Sequence, residues 1–123
     1  MRPAGTILLV TGMLVFPGLA WSGAADVTEV AVRCNSENTC TFAVTVRHDD
    51  EGWDHYADSF EILSDDGEVL GTRVLRHPHV NDQPFTRTFQ GVKIPESVSG
   101  VRVRAHDSVH GYGGEEKTVV IER

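Results

Sequence analysis

From Val27 onward the chain reads as short alternating or β-branched runs separated by polar turns, with no amphipathic helical period. The pattern predicts strands over 27–34, 40–48, 57–64, 68–75, 85–90, 101–105 and 117–122. In the second, Phe42, Val44 and Val46 alternate with Thr41, Ala43, Thr45 and Arg47. In the sixth, Val101, Val103 and Ala105 alternate with Arg102 and Arg104. Asp65-Asp66-Gly67 marks the turn after the third strand, and the Pro95-containing loop follows the fifth. The fifth strand is irregular, because Arg87 shares a face with Phe85 and Phe89. Either that strand is bulged, or Arg87 is buried at a sheet edge against an acidic partner.

Seven such strands in about a hundred residues make an all-β, antiparallel sandwich of the immunoglobulin or fibronectin-III kind. That length supports one domain, taken as 25–123. Residues 1–24 read as a cleaved signal peptide. Arg2 supplies the positive start, 7–20 the apolar run, and Trp21-Ser22-Gly23-Ala24-Ala25 a small-residue cleavage site after Ala24 or Ala25. Thr11, Gly12, Pro17 and Gly18 interrupt a run already short for a bilayer, and no later segment is apolar enough to span one. The expected location is periplasmic or secreted, with no membrane insertion after cleavage. Export also sets the state of Cys34 and Cys40, which should form a disulfide around Asn35-Ser36-Glu37-Asn38-Thr39. This staple lies within one hairpin, unlike the sheet-to-sheet bridge of antibody domains.

Charge narrows the partners. Eleven Lys and Arg against eighteen Asp and Glu give a net charge of −7, which repels phosphate backbones and argues against nucleic acid. The same acidity is compatible with cations. Both methionines, Met1 and Met13, fall in the leader, so the mature chain offers imidazole and carboxylate as ligands, without thioether.

All six histidines fall in three windows: His48 and His55, His77 and His79, His106 and His110. These are the connections after strands two, four and six, or the strand ends beside them, and in an up-and-down sandwich such connections share one end. In His77-Pro78-His79 the two rings of an extended segment face the same side, and Pro78 stiffens the pair. His106-Asp107-Ser108-Val109-His110 opens a Gly-rich loop that can bend inward. His48 continues the inward phase of Phe42, Val44 and Val46, whereas the alternation of strand six aims His106 outward. His55 sits in the acidic loop Asp49-Asp50-Glu51-Gly52-Trp53-Asp54-His55-Tyr56.

The resulting expectation is a histidine cluster binding Cu(II) or Zn(II), for carriage, storage or sensing rather than turnover. His77 and His79 rank first as ligands, then His106 and His110, then His48 and His55. Asp49, Asp54 and Asp107 are candidate outer partners that orient imidazoles. A periplasmic protein that delivers or receives the ion is the partner this role implies. The alternative is a recognition module without metal, gripping a protein or carbohydrate through the same loops with Trp53, Tyr56 and Tyr112. A hydrolase is disfavoured: Asp107, Ser108 and His110 are close in sequence, but the turn lacks the nucleophile-elbow pattern.

Overall fold

A computed structural model describes residues 23–123; most of the expected signal peptide, 1–22, lies outside the described residues. The alternating runs become seven strands: β1 (Asp26–Cys34), β2 (Thr39–Arg47), β3 (Ala57–Ser64), β4 (Val69–Val74), β5 (Phe85–Lys93), β6 (Gly100–Asp107) and β7 (Lys117–Val120). They form two antiparallel sheets, ordered β1-β2-β5 and β4-β3-β6-β7, stacked as an immunoglobulin-like sandwich. The inward residues of each strand interdigitate between them. Phe42, Val44 and Val46 of β2 meet Phe60 and Ile62 of β3 and Val101, Val103 and Ala105 of β6, all essentially excluded from solvent.

Cys34 and Cys40 are bonded across the β1–β2 hairpin, where they are register partners. The turn between them is further held by the Asn35 carboxamide, whose Oδ1 accepts from the amides of Glu37 (2.9 Å) and Thr39 (3.0 Å). The β5 irregularity resolves into both features at once. The strand is bulged, since Cys40 and Phe42 of β2 face Val92 and Phe89 with one extra residue on β5. It is also an edge strand, and Arg87 is half-buried there. Its partner is histidine rather than an acid: Nη2 lies 2.6 Å from His79 Nε2, with the guanidinium 5.4 Å from the Phe85 ring centre.

Two registers position the functional end. Pairing Asp26 with Arg47 lays the residues before β1 beside those after β2. Pairing Ala57 with Asp107 sets the start of β3 against the end of β6. A register shift between Ala57 and Ser59 places the bulge on β3, so β6 keeps strict alternation. Val101, Val103, Ala105 and Asp107 therefore face inward, and Arg102, Arg104 and His106 face outward.

Packing of this density predicts a clear contrast in stability. Truncating the fully buried Phe42 to Ala should lower the unfolding free energy by about 3–5 kcal/mol. Truncating Val120, exposed on the β7 edge, to Ala should change it by less than about 0.5 kcal/mol. Urea unfolding followed by tryptophan fluorescence checks both.

Candidate metal centre

His48 follows directly on β2 and keeps that strand's inward phase, so its imidazole is buried at the rim of the core. A buried imidazole needs partners at both nitrogens. Nδ1 lies 2.5 Å from Asp50 Oδ1, and Nε2 lies 2.8 Å from the Gly23 carbonyl oxygen. Asp50 is itself buried and fully used: Oδ1 also accepts from the Ala57 amide (3.0 Å), and Oδ2 from the His79 amide (2.7 Å).

His55 arrives from the 48–56 connection. That loop is closed by the Glu51 amide donating to the His55 carbonyl (2.8 Å) and the His55 amide donating to the Gly52 carbonyl (3.2 Å). The imidazole packs edge-on against His48, with ring centres 4.9 Å apart, and its Nδ1 sits 3.0 Å from Glu51 Oε1. Burial acts to lower the His55 pKa. The Glu51 hydrogen bond, the Asp107 charge and the Gly23 carbonyl outweigh it, so the net shift is upward.

Asp107 ends β6 facing inward and is wholly buried. Its Oδ2 accepts from the amides of Val109 (3.1 Å) and His110 (2.5 Å), and its backbone pairs with Gly111. Oδ1 differs. It lies 2.7 Å from His48 Nε2 and 2.8 Å from His55 Nε2, yet has no hydrogen bond of acceptable geometry among the described residues. His55 Nε2 is likewise buried without a hydrogen-bond partner. Buried polar atoms are rarely left so. These three atoms, all within 4.8 Å of one another, could hold a metal ion.

Each of these two imidazoles is backed by a carboxylate on the opposite side of its ring, Asp50 behind His48 and Glu51 behind His55. Each contact sets a carboxylate at Nδ1 and leaves Nε2 of the same ring turned toward Asp107 Oδ1. Asp107, expected as an outer partner, presents its own oxygen alongside the two nitrogens. Asp49 and Asp54, expected in the orienting role, are exposed, and the neighbouring Asp50 and Glu51 stand behind the imidazoles instead. The sequence signal for Asp50 was its i, i+2 spacing from His48; for Asp107 it was the unbroken inward phase of β6.

The other histidines surround this group without joining it in the same way. His110 lies beside it, its ring 5.1 Å from that of His55. His79 is buried across Asp50, stacked on Phe85 with centres 3.9 Å apart, and its Nε2 faces Arg87. Burial, then the Arg87 and His77 charges, lower its pKa, and its Nδ1 has no hydrogen-bond partner among the described residues. The exposed His77 ring is 4.8 Å from that of His79. His106 points outward from β6, with Nδ1 2.6 Å from Asp58 Oδ1 and its ring against Tyr112. A Ser-His-Asp relay is not assembled: Asp107 meets His110 through the backbone amide, and Ser108 Oγ accepts from the Tyr56 amide.

No family model matches the chain. A protein of Halomicrobium mukohataei described as "Putative lipoprotein" is 40% identical over 98 residues, spanning 80% of this chain and 48% of the relative. The chain thus covers about half the length of the curated relative it matches. Among solved structures, a superoxide reductase in the oxidized state aligns with 83% of this chain and 92% of its own, at 16% identity and a TM-score of 0.46.

Proposed function

We propose that this chain is an exported metal-binding protein that holds one Zn(II) or Cu(II) ion through His48 Nε2, His55 Nε2 and Asp107 Oδ1. The observation that carries this reading is the buried Asp107 oxygen, 2.7 and 2.8 Å from two imidazole nitrogens and without a hydrogen bond among the described residues. A cation between them would turn two poorly matched contacts into three bonds, with a modest widening of the group. Two imidazoles and one carboxylate suit zinc or Cu(II), and the same set also serves Fe(II). The expected leader and the description of the Halomicrobium mukohataei relative both support a place at the cell envelope. With Oδ2 of Asp107 tied to backbone amides and no assembled relay, carriage, storage or sensing fits better than turnover.

Elemental mass spectrometry of untagged protein, reading zinc, copper and iron together, should find about one ion per chain, the content of a single mononuclear site. The His48→Ala/His55→Ala double variant should lose it while keeping a sandwich circular-dichroism spectrum. Metal-free protein that takes up none of the three ions on dialysis overturns the reading, and the loops then become a recognition surface for a protein or carbohydrate.

The carboxylate behind His55 makes a finer prediction. Glu51→Gln should weaken Zn(II) affinity by about tenfold, the lower end of the effect of removing such a partner. Asp54→Asn removes an equal charge from the same loop and should leave affinity nearly unchanged. Competition against a chromophoric chelator measures both; equal losses would assign the effect to loop charge rather than to imidazole orientation.

A further inference from the structure

The segment before β1 stands directly over the metal centre. Gly23 O accepts from His48 Nε2 at 2.8 Å, so that nitrogen carries its proton toward the carbonyl. A metal requires the bare lone pair of the same atom, so the carbonyl contact and ligation exclude one another. Gly23 also lies flat on His110: a Cβ there would come within 2.3 Å of Nε2, closer than any side chain tolerates.

From Ala25 onward the chain is anchored differently. Ala25 is buried in the core cluster, and its carbonyl packs so tightly on Gly114 that a Cβ at 114 would lie 1.9 Å from it. Asp26 Oδ1 accepts from the Glu115 amide (2.7 Å), and the Val27 amide donates to the Glu115 carbonyl (2.8 Å). The change from chain built into the sandwich to chain resting on imidazoles therefore falls at Ala24. One of the two cuts the small-residue pattern allows, after Ala24 or after Ala25, falls there.

We infer that Gly23 blocks the metal centre in the unprocessed chain, and that cleavage after Ala24 opens it, freeing His48 Nε2 and admitting His110 as a further ligand. The inference rests on the metal reading above. It makes loading a consequence of export, because the exporting cell's own ion pool meets a precursor whose ligand nitrogen is already engaged. Burial of Ala25 also favours the cut before that residue over the cut after it.

The test compares two chains by Zn(II) titration against a competing chelator. One starts at Ala25. The other starts at Trp21, which keeps Gly23 in place and away from a terminal amine that could itself ligate. The extended chain should bind about tenfold more weakly, on the order of one net hydrogen bond to be broken before ligation. His110→Ala should weaken zinc binding in the chain from Ala25 and leave the extended chain unchanged. Equal affinities in the two chains, or a His110→Ala effect of the same size in both, overturn the inference while leaving the metal reading intact. Zinc binding by neither chain sinks the metal reading itself. Intact-mass analysis of the exported protein supplies the remaining arm: a mature start at Ala25 supports the inference, and a start at or before Gly23 overturns it.

Discussion

A carboxylate removed from water must find its hydrogen bonds inside the protein, and Asp50 does so by tying three parts of the chain together. His48 Nδ1 and the Ala57 amide converge on one oxygen and the His79 amide on the other. These contacts fix the imidazole at the end of β2, the entry to β3 and the β4–β5 connection in one arrangement. Leaving any of those donors unmade would cost the desolvation of a buried polar group, so the set is cooperative. The orientation of His48 follows from it, and so does the placement of Nε2 beside Asp107 Oδ1.

Asp107 shows the contrast that gives the site its meaning. Both aspartates are buried at the same end of the sandwich, and both take backbone amides. Asp50 is satisfied at both oxygens. Asp107 is satisfied at Oδ2 alone, with Oδ1 turned to two imidazole nitrogens that do not meet it as hydrogen-bond donors should. A structure that satisfies one buried carboxylate completely has the means to satisfy the other. The exception falls at the group that could hold a metal ion.

His79 and His106 illustrate how imidazole is used in polar contacts away from that group. His79 is a neutral-favouring core residue, stacked on Phe85 and facing Arg87 through Nε2. His106 pairs with Asp58 on the outer face of β6, beside Arg104, whose guanidinium lies 3.7 Å from the Tyr112 ring centre and pairs with the buried Glu61. The second of these is a polar cluster on the outer side of the four-stranded sheet.

The sandwich itself was legible in the sequence because a period of two is a local property. The alternation of Phe42, Val44 and Val46, or of Val101, Val103 and Ala105, sets strand and face without reference to any partner. The hairpin disulfide was legible for the same reason, its cysteines being near in sequence. Even the inward aim of His48 and Asp107 continues a local phase. Tertiary structure alone decided which histidines lie together, because that depends on register between strands remote in sequence: Asp26 against Arg47, and Ala57 against Asp107. It also decided that Arg87 would meet His79 and that Gly23 would rest on the imidazoles. Spacing in the sequence ranked the His-Pro-His pair first because it counts only neighbours. Whether a nitrogen is free to bind an ion depends on every group that reaches it through space.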